Sequence, residues 1–213
     1  MTETTTIRGD DLTARFSDKA RAVSAIVESV ATLDAAFAYC VDLCGRRGAC
    51  RITISGCDES LSPPADDLCD RKQGKIVAAP GLAPDQFAAL AARCTDQGMA
   101  CLRSGMRNNL SGVDIGFTIA EMGIAETGTL VLNCPGEDLR LATMLSEYHV
   151  CVLRRSTIVA DAFAAEPQLR RFMHRTPDYT AFITGASRTA DIERVLALGV
   201  HGPLELHILL LED

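Results

Sequence analysis

The stretch Thr129-Leu-Val-Leu-Asn-Cys-Pro-Gly-Glu-Asp-Leu-Arg-Leu-Ala-Thr-Met-Leu-Ser-Glu-Tyr-His-Val-Cys-Val-Leu153 decides the fold class. Thr129–Cys134 and His149–Leu153 are short apolar runs of strand length, bounded by turn-forming or polar residues. Between them, Asp138–Ser146 carries its apolar residues at helical spacing. A strand, a helix and a second strand in that order imply two strands of a parallel sheet joined by a crossover helix.

The alternation continues in both directions. Toward the C-terminus, strands are expected near Tyr179–Thr184 and Glu205–Leu211, with helices near Thr157–Ala165 and Thr189–Leu198. Toward the N-terminus, strands are expected near Val113–Thr118, Ala100–Arg103 and Lys75–Ala79, with a helix over Pro84–Gln97. Cys50, Ile52 and Ile54 alternate with Arg51, Thr53 and Ser55 in a strand pattern, and Gly56–Gly74 reads as a polar loop. From Asp10 to Arg46 the apolar positions Leu12, Phe16, Ala20, Val23, Val27, Val30, Leu33, Phe37, Val41 and Cys44 form one stripe. Steps of three and four predict one long helix or two consecutive ones. The expected architecture is a three-layer α/β/α domain with a mainly parallel sheet at residues 49–213, preceded by a helical N-terminal extension at residues 1–48.

The chain has 213 residues, 21 Lys+Arg against 28 Asp+Glu, and a formal net charge of −7. Apolar residues make up 47% and charged residues 23%, which fits a globular core and excludes wholesale disorder. The acidic balance argues against a general nucleic-acid or anionic-membrane binder. Apolar runs such as Ile208–Leu211 fall far short of a spanning helix, and Met1–Asp10 holds no apolar signal segment. The expected location is the cytoplasm, where thiols stay reduced, so the nine cysteines need a reading other than disulfides. Cys40, Cys44, Cys50, Cys57 and Cys69 crowd together without C-x₂-C or ferredoxin spacing. Cys40 and Cys44 share a helical face and could chelate, but Cys44 continues the apolar stripe, so core packing is the expectation and no metal site is assigned. Cys134 and Cys151 lie in predicted strands and read as core.

Three glycine-containing segments are candidates for chemistry, because open α/β sheets place ligands at strand ends. In Ile124-Ala-Glu-Thr-Gly-Thr-Leu-Val-Leu132, Thr127, Gly128 and Thr129 would offer amides and hydroxyls to an anion. Glu126 would serve there as acid, base or metal ligand; the same residues also make an ordinary turn into a buried strand. In Phe182-Ile-Thr-Gly-Ala-Ser-Arg-Thr-Ala-Asp-Ile192, Thr184, Gly185, Ser187, Thr189 and Asp191 read as a turn into a helix start, with Arg188 as a fork-shaped anion donor. Plain helix capping uses the same residue types. In Leu198-Gly-Val-His-Gly-Pro-Leu204, His201 sits in a tight turn before Gly202, placed for proton transfer or for a backbone hydrogen bond. His207 reads as structural. Dinucleotide, Walker A, H-E-x-x-H and G-x-S-x-G signatures are all missing.

Taken in order, Ala125–Leu132, Ile183–Glu193 and Leu198–Pro203 resemble the LUD domain family, typified by the lactate-utilisation protein C subunit. The resemblance covers roughly Val113 to Leu211 and departs from the usual Gly-Pro-Ser at Gly185-Ala186-Ser187. It implies a fold similar to the NagB/RpiA/CoA-transferase-like group. It also implies a role in bacterial oxidation of L-lactate to pyruvate, beside a partner subunit carrying iron–sulfur clusters and a further redox subunit. The cofactor expectation is iron–sulfur on the partner and none on this chain. The ligand expected is a small carboxylate or phosphorylated molecule. Glu126 and His201 would handle protons, while Arg188 and the backbone around Gly128, Gly185, Ser187 and Thr189 would hold the anion. The other readings are a stand-alone transferase or ligase with Glu126 as carboxylate nucleophile, and a non-catalytic interaction module.

Overall fold

A computed structural model describes residues 9–49, 62–72, 74–109, 112–174, 179–189, 197–198 and 202–212. Helix α1 (Gly9–Ala22) leads into strand β1 (Ala25–Val30) and helix α2 (Leu33–Arg46), followed by α3 (Pro63–Lys72). Then come β2 (Ile76–Ala78), α4 (Pro84–Asp96), β3 (Ala100–Leu102), β4 (Val113–Ile119), β5 (Met122–Ile124) and β6 (Thr129–Asn133). The chain continues through α5 (Glu137–Leu145), β7 (Ser146–Arg154), β8 (Ile158–Val159) and α6 (Ala162–Phe172). It closes with β9 (Thr180–Ile183), β10 (Arg188–Thr189), β11 (Ala197–Leu198) and β12 (Glu205–Leu211).

The main sheet has six strands in the order β1-β12-β7-β4-β2-β3, and every pairing in it is parallel. Its central strands are buried on both faces. Phe37 and Cys40 of α2 and Leu90 and Cys94 of α4 pack on one face with Val77, Ile115, Phe117 and Val150. Phe16 and Ala20 of α1 pack on the other, with Leu130 and Leu132 of β6 and with Cys151, Ile208 and Leu210. The α/β class with a mainly parallel sheet therefore holds.

Three expectations change. The stripe through residues 10–46 is broken by β1, which pairs with β12 from Ala25↔Leu206 to Val30↔Leu211. Val23, Val27 and Val30 fit a helical stripe by spacing, but a run rich in β-branched residues beside an open parallel edge gains more as a strand. The chain turns between α1 and β1 at Ser24, whose φ is 69°. Second, Thr129–Asn133 and Thr180–Ile183 are not strands of the main sheet. They pair antiparallel in a separate four-stranded sheet, β8-β5-β6-β9, which lies over one face of the main sheet. α6 covers its far side through Ala165 and Phe172. The α/β alternation of the sequence does not reveal which sheet a strand joins. Third, the expected loop holds helix α3, the helix expected at Thr157–Ala165 starts only at Ala162, and the ends of the helix expected at Thr189–Leu198 are extended, Arg188–Thr189 pairing antiparallel with Ala197–Leu198, while residues 190–196 lie outside the described residues. The expected strand at Cys50–Ile54 lies outside the described residues.

Candidate ligand-binding cleft

The sequence motifs converge at the edge of the main sheet where its strands begin, opposite to the C-terminal edge expected. Gly128 and Gly185 both lie against the end of α1, which runs into the start of β1. At Gly128 (φ 67°) an added Cβ would fall 2.3 Å from the backbone nitrogen of Ala20. At Gly185 (φ 76°) it would fall 2.1 Å from the carbonyl oxygen of Val23. These glycines are dictated by a positive φ and by a neighbouring backbone.

Hydroxyls join the first two motifs. Thr129 Oγ1 lies 2.7 Å from Thr127 Oγ1 and 2.7 Å from Thr184 Oγ1, a chain linking the β5–β6 turn to the end of β9. Three hydroxyls with two links leave one proton to offer elsewhere. The backbone cradle expected for an anion does not form at Gly128 or Ser187. The Gly128 amide donates to Ile124 O at 2.9 Å, and the Ser187 amide donates to Pro203 O at 3.1 Å. No helix starts at Ser187, because Arg188 and Thr189 are extended; residues 190–196 lie outside the described residues.

A cleft of about 380 Å³ opens beside β9. Its walls are β9 with the following Thr184–Ser187, the Gly202–Pro203 turn, Leu206, and Arg140, Thr143 and Met144 of α5; His149 also lines it. Thr184, Gly185, Ser187 and Gly202 are thus brought together. Glu126, Thr127, Thr129 and Arg188 do not line this cleft, and the Glu126 side chain is exposed on the β5–β6 turn. Asp191 and His201 lie outside the described residues, and nothing is described of the Thr189 side chain.

Sequence reasoning missed the charged group of this cleft. Arg140 packs over the Tyr179 ring at 5.0 Å and stands 3.8 Å from Glu137 Oε1. The 1% exposed His149 reaches Thr118 Oγ1 through Nε2 at 2.8 Å. Burial, with the neighbouring His207, pushes its pKa down to about 4, so the ring is neutral near pH 7. The available signals were a basic residue on the apolar helix 137–145 and a histidine within an apolar strand; neither by itself distinguishes a cleft from a surface or a core. The cleft can therefore pair an anion with a guanidinium and offer it hydroxyl donors, over a neutral imidazole.

On the opposite face of the sheet, His207 is 2% exposed, with Nδ1 2.8 Å from Tyr39 OH and Nε2 2.9 Å from Glu205 Oε2. Arg47 Nη2 donates to both oxygens of Glu205 at 2.8 and 2.7 Å and lies over the Tyr148 ring. Cys40 and Cys44 sit in the apolar core under α2, where burial raises the Cys40 thiol well above its ordinary value. A protonated buried thiol is a poor metal ligand. Cys50 and Cys57 lie outside the described residues, and nothing is described of the Cys69 side chain. No helix among the described residues is long and apolar enough to cross a membrane.

The chain belongs to the LUD domain family, which it matches over residues 13–211. It is 34% identical over 102 residues to lactate utilization protein C of Shouchella clausii, an alignment taking in 47% of this chain and 44% of that protein. To lactate utilization protein C of Halalkalibacterium halodurans it is 36% identical over 107 residues, 47% of this chain and 45% of that one. The alignments thus span less than half the length of these relatives. A solved DUF162 family protein from Deinococcus radiodurans shares the fold, with a TM-score of 0.56 at 16% identity over 96% of this chain and 98% of that one.

Proposed function

We propose that this chain serves bacterial L-lactate utilisation as an accessory subunit that binds a small carboxylate in the cleft between α5 and β9. The observation that carries the reading is the convergence of Thr184 and Ser187 from one motif and Gly202 from another on one cleft whose rim holds Arg140. Arg140 pairs with the carboxylate and takes the place assigned by sequence to Arg188. The Thr127–Thr129–Thr184 chain directs its spare proton to the ligand. The likeness to proteins named for lactate utilisation supports lactate or pyruvate as the ligand class. An iron–sulfur subunit and a further redox subunit carry the electrons, so this chain supplies binding rather than the redox step.

Thermal unfolding of the purified chain with L-lactate or pyruvate tests the site. A ligand at 100 times its Kd adds about 2.7 kcal/mol of stability, and Arg140→Ala abolishes that gain. No rise in Tm with either acid, or a rise untouched by Arg140→Ala, overturns the assignment. Co-purification from lactate-grown cells tests the partner: an iron–sulfur chain in stoichiometric amount is expected, and recovery of this chain alone speaks against it.

A further inference from the structure

Four thiols from three elements gather in one core cluster: Cys40 and Cys44 of α2, Cys94 of α4 and Cys101 of β3. Among the described residues no three His, Cys, Asp or Glu side chains are arranged to hold a metal ion, so coordination does not account for them. Two of the four face each other. Cys101 pairs with Val77 of β2, and residues in register on parallel strands share a face of the sheet. Val77 packs with Leu90 and Cys94 of α4, so Cys101 faces the same helix, while Leu102 turns to the opposite face with Ile76 and Ala78. The return from helix to strand is tight. The amides of Gln97 and Met99 both donate to the Cys94 carbonyl, at 3.1 and 2.8 Å, and β3 begins at Ala100. The last turn of α4 thus sets Cys94 over the strand that follows, where its thiol donates a hydrogen bond to the Cys101 sulfur.

The two thiols differ in access. Cys94 is 0% exposed, whereas Cys101 is partly exposed on β3, the outermost strand of the main sheet among the described residues. They differ in acidity as well. The hydrogen bond from Cys94 lowers the Cys101 pKa against burial and the nearby Cys40, which raise it. The same bond, with burial, keeps Cys94 protonated. A reachable thiol that ionises readily, with a protonated thiol in contact, is the pairing of a peroxide-reactive cysteine and its resolving partner. Cys40, Cys44, Cys134 and Cys151 are buried and lack that access.

We propose that Cys94 and Cys101 are a redox modification site, closed to a reversible disulfide by hydrogen peroxide that attacks through Cys101. The Cys101 thiolate bonds to one peroxide oxygen, the O–O bond breaks, and hydroxide leaves, giving a sulfenic acid. The Cys94 sulfur then bonds to the Cys101 sulfur and displaces its hydroxyl, which leaves as water with the Cys94 proton. Two thiols are oxidised and one peroxide is reduced to two waters, the hydroxide taking the proton that Cys101 gave up on ionising. Closure brings the sulfurs from hydrogen-bond contact to about 2.05 Å. β3 is three residues long and pairs on one side with β2, so little of the sheet has to follow. The disulfide ties the end of α4 to the sheet edge, and a dithiol reductant releases it.

The test treats the reduced, native full chain with a small molar excess of hydrogen peroxide at pH 7, blocks the remaining thiols with iodoacetamide, and maps peptides by mass spectrometry. Cleavage after Arg93 and Arg103 releases Cys94–Arg103, which holds both cysteines. That peptide should lose two hydrogens and take up no label, while Cys40, Cys44, Cys134 and Cys151 stay unoxidised. Dithiothreitol should restore both thiols. In Cys94→Ala the Cys101 sulfenic acid should persist, be captured by dimedone, and pass to sulfinic acid on longer exposure. In Cys101→Ser, oxidation of Cys94 should be at least tenfold slower than in the parent chain. The parent map stands whether or not the variants fold. Both thiols still free after peroxide, Cys101 recovered as sulfinic acid in the parent chain, or Cys101 joined to any cysteine but Cys94 overturns the proposal. Oxidation of Cys94 at the parent rate in Cys101→Ser does the same.

Discussion

Gly128 faces the backbone nitrogen of Ala20 so closely that a methyl group in place of its hydrogen would lie 2.3 Å away. Gly185 stands in the same relation to Val23 O, at 2.1 Å. Two motif glycines that look like a ligand cradle in sequence are thus the points where the small sheet docks on the end of α1. Gly128→Ala and Gly185→Ala should each destabilise the chain by about 2 kcal/mol or more, through a strained positive φ and an overlap that only backbone movement relieves. Chemical denaturation measures this. A loss below about 0.5 kcal/mol at either position would contradict the packing.

His149 should make the fold acid-sensitive. Its folded pKa is lowered by burial from 6.5 to about 4, so between those values the unfolded chain binds the extra proton. Stability from this group is complete above about pH 6.5 and is lost as the pH falls toward 4, by about 3 kcal/mol in all. His207, also lowered by burial, acts in the same direction. The Tm difference between pH 7 and pH 4.5 should shrink in His149→Gln relative to the parent chain; an unchanged difference would rule out this source.

Tyr39→Phe should cost about 1–3 kcal/mol, because it leaves a buried ring nitrogen of His207 without its partner 2.8 Å away. Urea unfolding should show a lower midpoint with an unchanged m value. A neutral effect would mean that His207 gains nothing from the hydroxyl.

Among the six cysteines with described thiols, Cys101 should be alkylated first. The Cys94 thiol donates a hydrogen bond to it, which lowers its pKa, and it is only partly buried. Cys40 and Cys151 are held protonated by burial, and Cys94 by that same hydrogen bond with burial. Brief iodoacetamide treatment of the native chain, mapped by mass spectrometry, should find Cys101 modified ahead of Cys40, Cys94 and Cys151. Equal labelling of Cys94 would overturn the assignment.

The family signal was legible in three short motifs between Ala125 and Pro203, yet the family match reaches back to residue 13. The N-terminal stretch hides its membership because β1 satisfies two periodicities at once. Val23, Val27 and Val30 fit a helical stripe, and Ala25, Val27 and Val30 are buried in a strand. Spacing over so few residues cannot separate the two patterns.

By itself the sequence determined the α/β class, most helix and strand positions after Lys75, and the apolar character of Cys40, Cys44, Cys134 and Cys151. Each of these follows from local periodicity and burial preference, which are written along the chain. Only the tertiary structure decided that Thr129–Asn133 and Thr180–Ile183 leave the main sheet to pair with each other. Only it placed Arg140 rather than Arg188 at the motif cleft, and Cys101 against Cys94. Strand partners are chosen by non-local hydrogen bonds and by which faces remain to be covered, and no spacing along a single segment encodes that choice.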